Sequence, residues 1–127
     1  MRESLRIAIV ASSRYPIAQP FAAAARSDVS MPPLTVLQEH HAYLSLMLSF
    51  TRTPDDFDVI HNHSLHHLPV AMGPALDTPM LTTLHTPPTP WLESALALTP
   101  GTRCVAVSRH TARAWSHVLG SIPVAHR

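Results

Sequence analysis

Two short stretches and one isolated serine hold the side chains best suited to chemistry. In His61-Asn62-His63-Ser64 two imidazoles, an amide and a hydroxyl follow one another, and His85 closes the apolar run Met80-Leu81-Thr82-Thr83-Leu84. An imidazole can exchange a proton near neutral pH, donate a hydrogen bond to developing charge, or ligate a metal. Ser108 stands at the end of the run Cys104-Val105-Ala106-Val107. If these runs are strands, alternate side chains share a face, so His61 and His63 point one way and Asn62 the other. Ligands of open α/β sheets bind at the carboxyl ends of the strands, where the loops diverge. His61, Asn62, His63 and His85 are therefore expected at one cleft. Ser108 is expected to begin a helix, either as a plain cap or with free amides that receive an anionic group.

Positioning these groups requires strands that end near residues 61, 84 and 107. Residues 57–61, 80–84 and 103–107 read as such strands. Residues 5–11 form an earlier apolar run of the kind buried on both faces of a parallel sheet, and 123–126 begins a fifth strand. Residues 35–52 have helical spacing: Thr35 and Gln38 fit a capping box, Leu37, His41, Leu44 and Leu48 recur on one face, and Tyr43, Met47 and Phe50 make a second apolar face. Ser64 is placed to cap a helix through Leu65, Leu68, Met72 and Leu76, bent at Pro69. Thr89 and Pro90 open a short helix, and Ser108 caps another that stops at Gly120. Residues 12–33, with four prolines and an alanine run, read as loop. The alternation predicts an α/β fold, a Rossmann-like parallel sheet of about five strands with right-handed crossovers.

Composition narrows the classes of function. The chain has 127 residues, enough for one small domain. Charged residues make up 13%, about half the usual share, so little of the sequence is built as charged surface. Nine arginines, no lysine and eight acids give a net charge of +1 with no basic run able to track phosphates, which disfavours nucleic acid as a partner. Cys104 is the single cysteine and lies in an apolar run; it is expected to be a buried, reduced thiol in a cytoplasmic protein. Arg2 and Arg6 flank an apolar stretch too short for a signal-peptide core, and no stretch approaches the roughly 18 apolar residues of a membrane span. A peripheral contact with a membrane stays open.

The order of four segments carries a family resemblance. Asp58-Val59-Ile60-His61-Asn62-His63-Ser64, Leu81-Thr82-Thr83-Leu84-His85-Thr86-Pro87-Pro88, Val105-Ala106-Val107-Ser108-Arg109 and Pro123-Val124-Ala125-His126 resemble the N-terminal, acceptor-side half of family 4 glycosyltransferases. The opening strand followed by Ser12-Ser13-Arg14-Tyr15-Pro16 resembles the start of such enzymes. The resemblance implies one half of a GT-B fold and retaining transfer of a glycosyl group from a nucleotide sugar to an acceptor, with no metal required. It assigns His85 to the transferred sugar as the catalytic hydrogen-bond donor, with His61, Asn62, His63 and Ser108 in the same cleft. Relatives carry a Gly-Gly turn after the first strand, whereas here no glycine precedes Gly73. Relatives also continue past the position of His126 into a nucleotide-sugar domain. The expectation is a single partial domain over residues 1–127, internally shortened, inactive alone and in need of a partner chain for the second domain.

Two readings from other classes remain beside it. His61, His63 and His85 at adjacent strand ends suit the three-ligand centre of a metal-dependent hydrolase, although no carboxylate stands at a strand end to complete it. The other is a non-catalytic fragment, because transfer depends on donor and acceptor being held in line between two domains.

Overall fold

The fold is α/β, as the alternation predicts; the computed structural model describes residues 4–12 and 33–125. Strands β1 (Ile7–Val10), β2 (Val59–Asn62), β3 (Met80–Leu84) and β4 (Arg103–Ala106) form one parallel sheet in the order β1-β2-β3-β4. The expected fifth strand is reduced to one parallel bridge between Ala106 and Val124. Around the sheet lie α1 (Leu34–Arg52), α2 (His67–Met72) with a 3-10 turn at Gly73–Ala75, α3 (Pro90–Ala97), α4 (Arg109–Ala114) and α5 (Ser116–Leu119). Nearly all of the loop expected over 12–33 lies outside the described residues, as does His126. Among the described residues no helix is long and apolar enough to cross a membrane.

Strands that pair in sequence order through right-handed crossovers receive all their connecting helices on one face. The register divides the side chains accordingly. Ala8, Ile60 and Met80 share one face with Val10, Asn62, Thr82, Cys104, Leu84 and Ala106. On that face Ala8, Val10 and Ile60 pack with Tyr43, Met47 and Phe50 of α1, while Leu84 and Cys104 pack with Val70, Leu92, Leu96 and Trp115. Burial pushes the Cys104 thiol up to about 11, in keeping with the inert cysteine expected. The opposite face carries Ile7, Ile9, Val59, His61, Leu81, Thr83 and Val105. Here β1 departs from expectation: it is not buried on both faces, since Ile7 and Ile9 are 49% and 67% exposed. The cause is topological, because β1 ends the described sheet and none of the described helices lies over that face.

Local expectations in three helical segments are corrected as well. Helix α1 starts at Leu34 with no side-chain cap, so the Thr35/Gln38 box does not form; the Pro33 carbonyl takes the Val36 and Leu37 N–H groups at 3.0 and 3.2 Å instead. Of its two apolar faces, Tyr43, Met47 and Phe50 are the buried one and Leu48 stays 37% exposed. The larger aromatic and thioether side chains remove more apolar area from water. Helix α2 begins at His67, which puts Pro69 in its first turn, where the N–H that proline lacks would have had no intrahelical acceptor. The helix after β4 is interrupted at Trp115 before it ends at Gly120, where φ is +68°, a conformation that suits glycine.

Met47 is fully buried between α1 and the sheet. Met47→Ala is expected to cost about 2–5 kcal/mol, and Leu48→Ala well under that. Urea unfolding of the two variants checks the assignment of the inner face; equal losses would contradict it.

Candidate functional site

Parallel register brings the ends of β2 and β3 side by side, with His61 opposite Leu81 and Asn62 opposite Thr82. The chain stays extended one residue past β2, because the His63 N–H bonds the Val10 carbonyl at 2.7 Å. His61 and His63 therefore share a face as the alternation requires, with ring centroids 3.9 Å apart. His85 follows β3 directly, and its Nε2 lies 3.0 Å from His63 Nδ1. The Nε2 of His61 lies 2.7 Å from the Thr83 hydroxyl on the neighbouring strand. The three imidazoles expected at one cleft are thus together, at the carboxyl edge and on the face no described helix covers.

Neighbours fix the electrostatics of the pair. Burial, then the charges of His61 and His85, holds the His63 imidazole below its ordinary value of 6.5. At neutral pH His63 is therefore uncharged, and in its bond to His85 one ring donates and the other accepts. The arrangement can present one free ring nitrogen of His85 to a ligand as a donor or an acceptor, its tautomer set by His63.

Asn62 and Ser108 sit differently from the histidines. Asn62 is fully buried on the helix-covered face; its Oδ1 accepts from the Ser64 N–H at 3.0 Å and the Ser64 hydroxyl at 2.8 Å, and its Nδ2 donates to Thr82 Oγ1 at 3.3 Å. These bonds form an Asx turn that swings the chain out of β2, and they leave Asn62 facing away from the imidazoles. Ser64, expected as the cap of α2, belongs to this turn; the cap is His66, whose Nδ1 accepts the Leu68 N–H at 3.1 Å. Ser108 is a cap in full: its hydroxyl accepts the Thr111 N–H at 3.1 Å and bonds the Thr111 hydroxyl, on a helix of only six residues.

Two supports were not legible in the pattern of histidines. Thr82 and Thr83 orient Asn62 and His61, and the only hint was a pair of hydroxyl residues inside an apolar strand. Trp115, with no solvent exposure, donates from its indole Nε1 to the Thr86 carbonyl at 2.7 Å and so fixes the turn just after His85. Nothing in the spacing of residues 86 and 115 announces that bond. The Thr86 hydroxyl beside it is buried with no partner among the described residues.

Among the described residues, no group of three or more His, Cys, Asp or Glu is placed to hold a metal ion. His61 is turned to Thr83, so the three-ligand hydrolase centre is not assembled. A concavity of about 700 Å³ lies at the other end of the sheet against Gly73, Thr78, Met80 and Arg103, remote from the imidazoles. Its lining holds no cluster of titratable groups, and size alone does not make it the site. A groove of about 400 Å³ lies between α2 and α3 beside His67 and Trp91. No protein-family model matches the chain, and no curated protein matches it.

His66 and His67, where α2 begins, are half-buried. His66 stacks on Tyr43 at 4.5 Å and on His67 at 4.4 Å, and burial first, then His67 and His40, lowers its pKa from 6.5 to about 4. Between those values the unfolded chain binds a proton that the folded chain refuses, so stability rises with pH. Stability is full above the unfolded value of 6.5 and declines as the pH falls toward 4. Asparagine caps helices without titrating, so His66→Asn is expected to flatten this decline. Thermal midpoints measured from about pH 7 down to about pH 4.5 test it; an unchanged slope would remove His66 as the source.

Proposed function

We propose that this chain is the acceptor-side half of a retaining glycosyltransferase of the family 4 type. The observation that carries the reading is the meeting of His63 and His85 from neighbouring strand ends. In such a transfer the bond from the anomeric carbon to the nucleotide phosphate breaks and a bond to the acceptor oxygen forms on the same face of the sugar. His85, its tautomer set by His63, would offer a ring N–H to a sugar hydroxyl or to the charge that develops on the leaving oxygen. His61 lines the same edge. Asn62 and Ser108 shape the turns that bring their neighbours there.

A second domain, in the same polypeptide or in a partner chain, supplies most of the contacts to the nucleotide, while the transferred sugar reaches His85 on this chain, so the chain alone retains weak binding of the donor. Turnover needs both, because much of the rate comes from holding donor and acceptor in line. Nucleotide sugars and a reduced thiol at Cys104 both suit work in the cytoplasm. No metal is called for by this chemistry.

The test uses the chain itself against a panel of uridine- and guanosine-diphosphate sugars, followed by NMR of the histidine rings. The expected outcome is that the ring protons of His63 and His85 move together with one donor type, and that His85→Ala weakens that binding by about tenfold, the worth of one well-placed hydrogen bond. If no donor moves either ring, the proposal fails.

A further inference from the structure

We propose that His63 and His85 form a two-imidazole site for a late first-row divalent ion, Cu²⁺ foremost and Zn²⁺ after it. Such a site uses only the two rings and solvent, and so does not depend on glycosyl transfer.

The geometry is that of a chelating pair. His63 Nδ1 and His85 Nε2 face each other across neighbouring strand ends at 3.0 Å. Two nitrogens bound at about 2.0–2.1 Å lie roughly 2.9 Å apart in adjacent corners of a square-planar site and roughly 3.3 Å apart in a tetrahedral one. The observed separation falls between the two, so either ion is reached with shifts of the ring nitrogens of a few tenths of an ångström and a rotation of both rings that turns their lone pairs from each other onto the ion.

Both residues are held before any ion arrives. The His63 N–H is tied to the Val10 carbonyl at 2.7 Å, and Trp115 pins the Thr86 carbonyl next to His85 at 2.7 Å. His61, engaged with Thr83, packs its ring against His63 and leaves Nδ1 of His63 to the pair. His85 is exposed, so the remaining coordination positions open to solvent. Imidazole suits copper and zinc, and for a given site affinity peaks at Cu²⁺. With two protein ligands and no third among the described residues, this is an open site, distinct from the closed four-ligand sites that serve structure.

The experiment titrates the full chain with Cu²⁺ alone and Zn²⁺ alone by calorimetry, and records the electron paramagnetic resonance of the Cu²⁺ form. One ion per chain is expected, with hyperfine coupling to two imidazole nitrogens. His63→Ala and His85→Ala are each expected to weaken binding by more than about tenfold, while His61→Ala and His67→Ala stay within about threefold. His63→Gln and His85→Gln remove the same ligands with side chains of similar polarity, and serve if an alanine variant does not fold. Undiminished binding in the His63 and His85 variants would put the ion on other histidines and overturn the proposal. So would the absence of binding up to about 1 mM ion.

Discussion

A parallel strand pair needs a crossover connection, and when successive crossovers step the same way across a sheet they land on the same face. In this chain β1 to β4 each step one place in one direction. That constraint does two things at once. It lines up the carboxyl ends of consecutive strands along one edge, which is how His61, His63 and His85 meet. It also collects the described helices on one side, so that Ala8, Val10 and Ile60 are buried in one cluster and Leu84 and Cys104 in another on that same face, while Ile7 and Ile9 remain in water.

The polar groups of the edge are sorted by that same division. On the covered side a polar group must find partners, since an unsatisfied buried one is costly. Asn62, Ser64 and Thr82 satisfy one another there and thereby make the turn out of β2. On the open side His61, His63 and His85 are held by Thr83 and by each other, yet keep enough exposure to meet a ligand. Trp115 links the two sides: its ring fills the core under α3, and its indole N–H fixes the carbonyl that follows His85. Removing apolar volume at residue 115 would therefore act on the site as well as on the core.

A site on an uncovered face has one wall. The imidazoles occupy the carboxyl end of that face, and Ile7, Ile9, Val59, Leu81 and Val105 occupy the rest of it. Enclosing a substrate there requires a second wall from outside the described residues, which is the arrangement glycosyl transfer between two domains would use. A hydrated ion needs no such enclosure. The two proposals made for this pair of rings thus differ in how much of the surroundings they require.

The local alphabet of the fold was legible in the amino-acid sequence. Strand β3, the opening of α3 at Thr89-Pro90, the Ser108 cap and the stop at Gly120 all follow from short-range chemistry, namely apolar runs, proline at a first helical position, a capping hydroxyl and a residue tolerant of positive φ. So did the shared face of His61 and His63, which is a property of any extended chain. What tertiary structure decided was which equal local options survived. Tyr43, Met47 and Phe50 prevailed over the face of Leu48 because the sheet was there to receive them. Ser64 gave up the α2 cap to His66 because Asn62, buried opposite Thr82, claimed its hydroxyl. The exposure of Ile7 and Ile9, the hydrogen bond between His63 and His85, and the reach of Trp115 to Thr86 depend on strand order and on contacts between distant segments, and no local pattern encodes those.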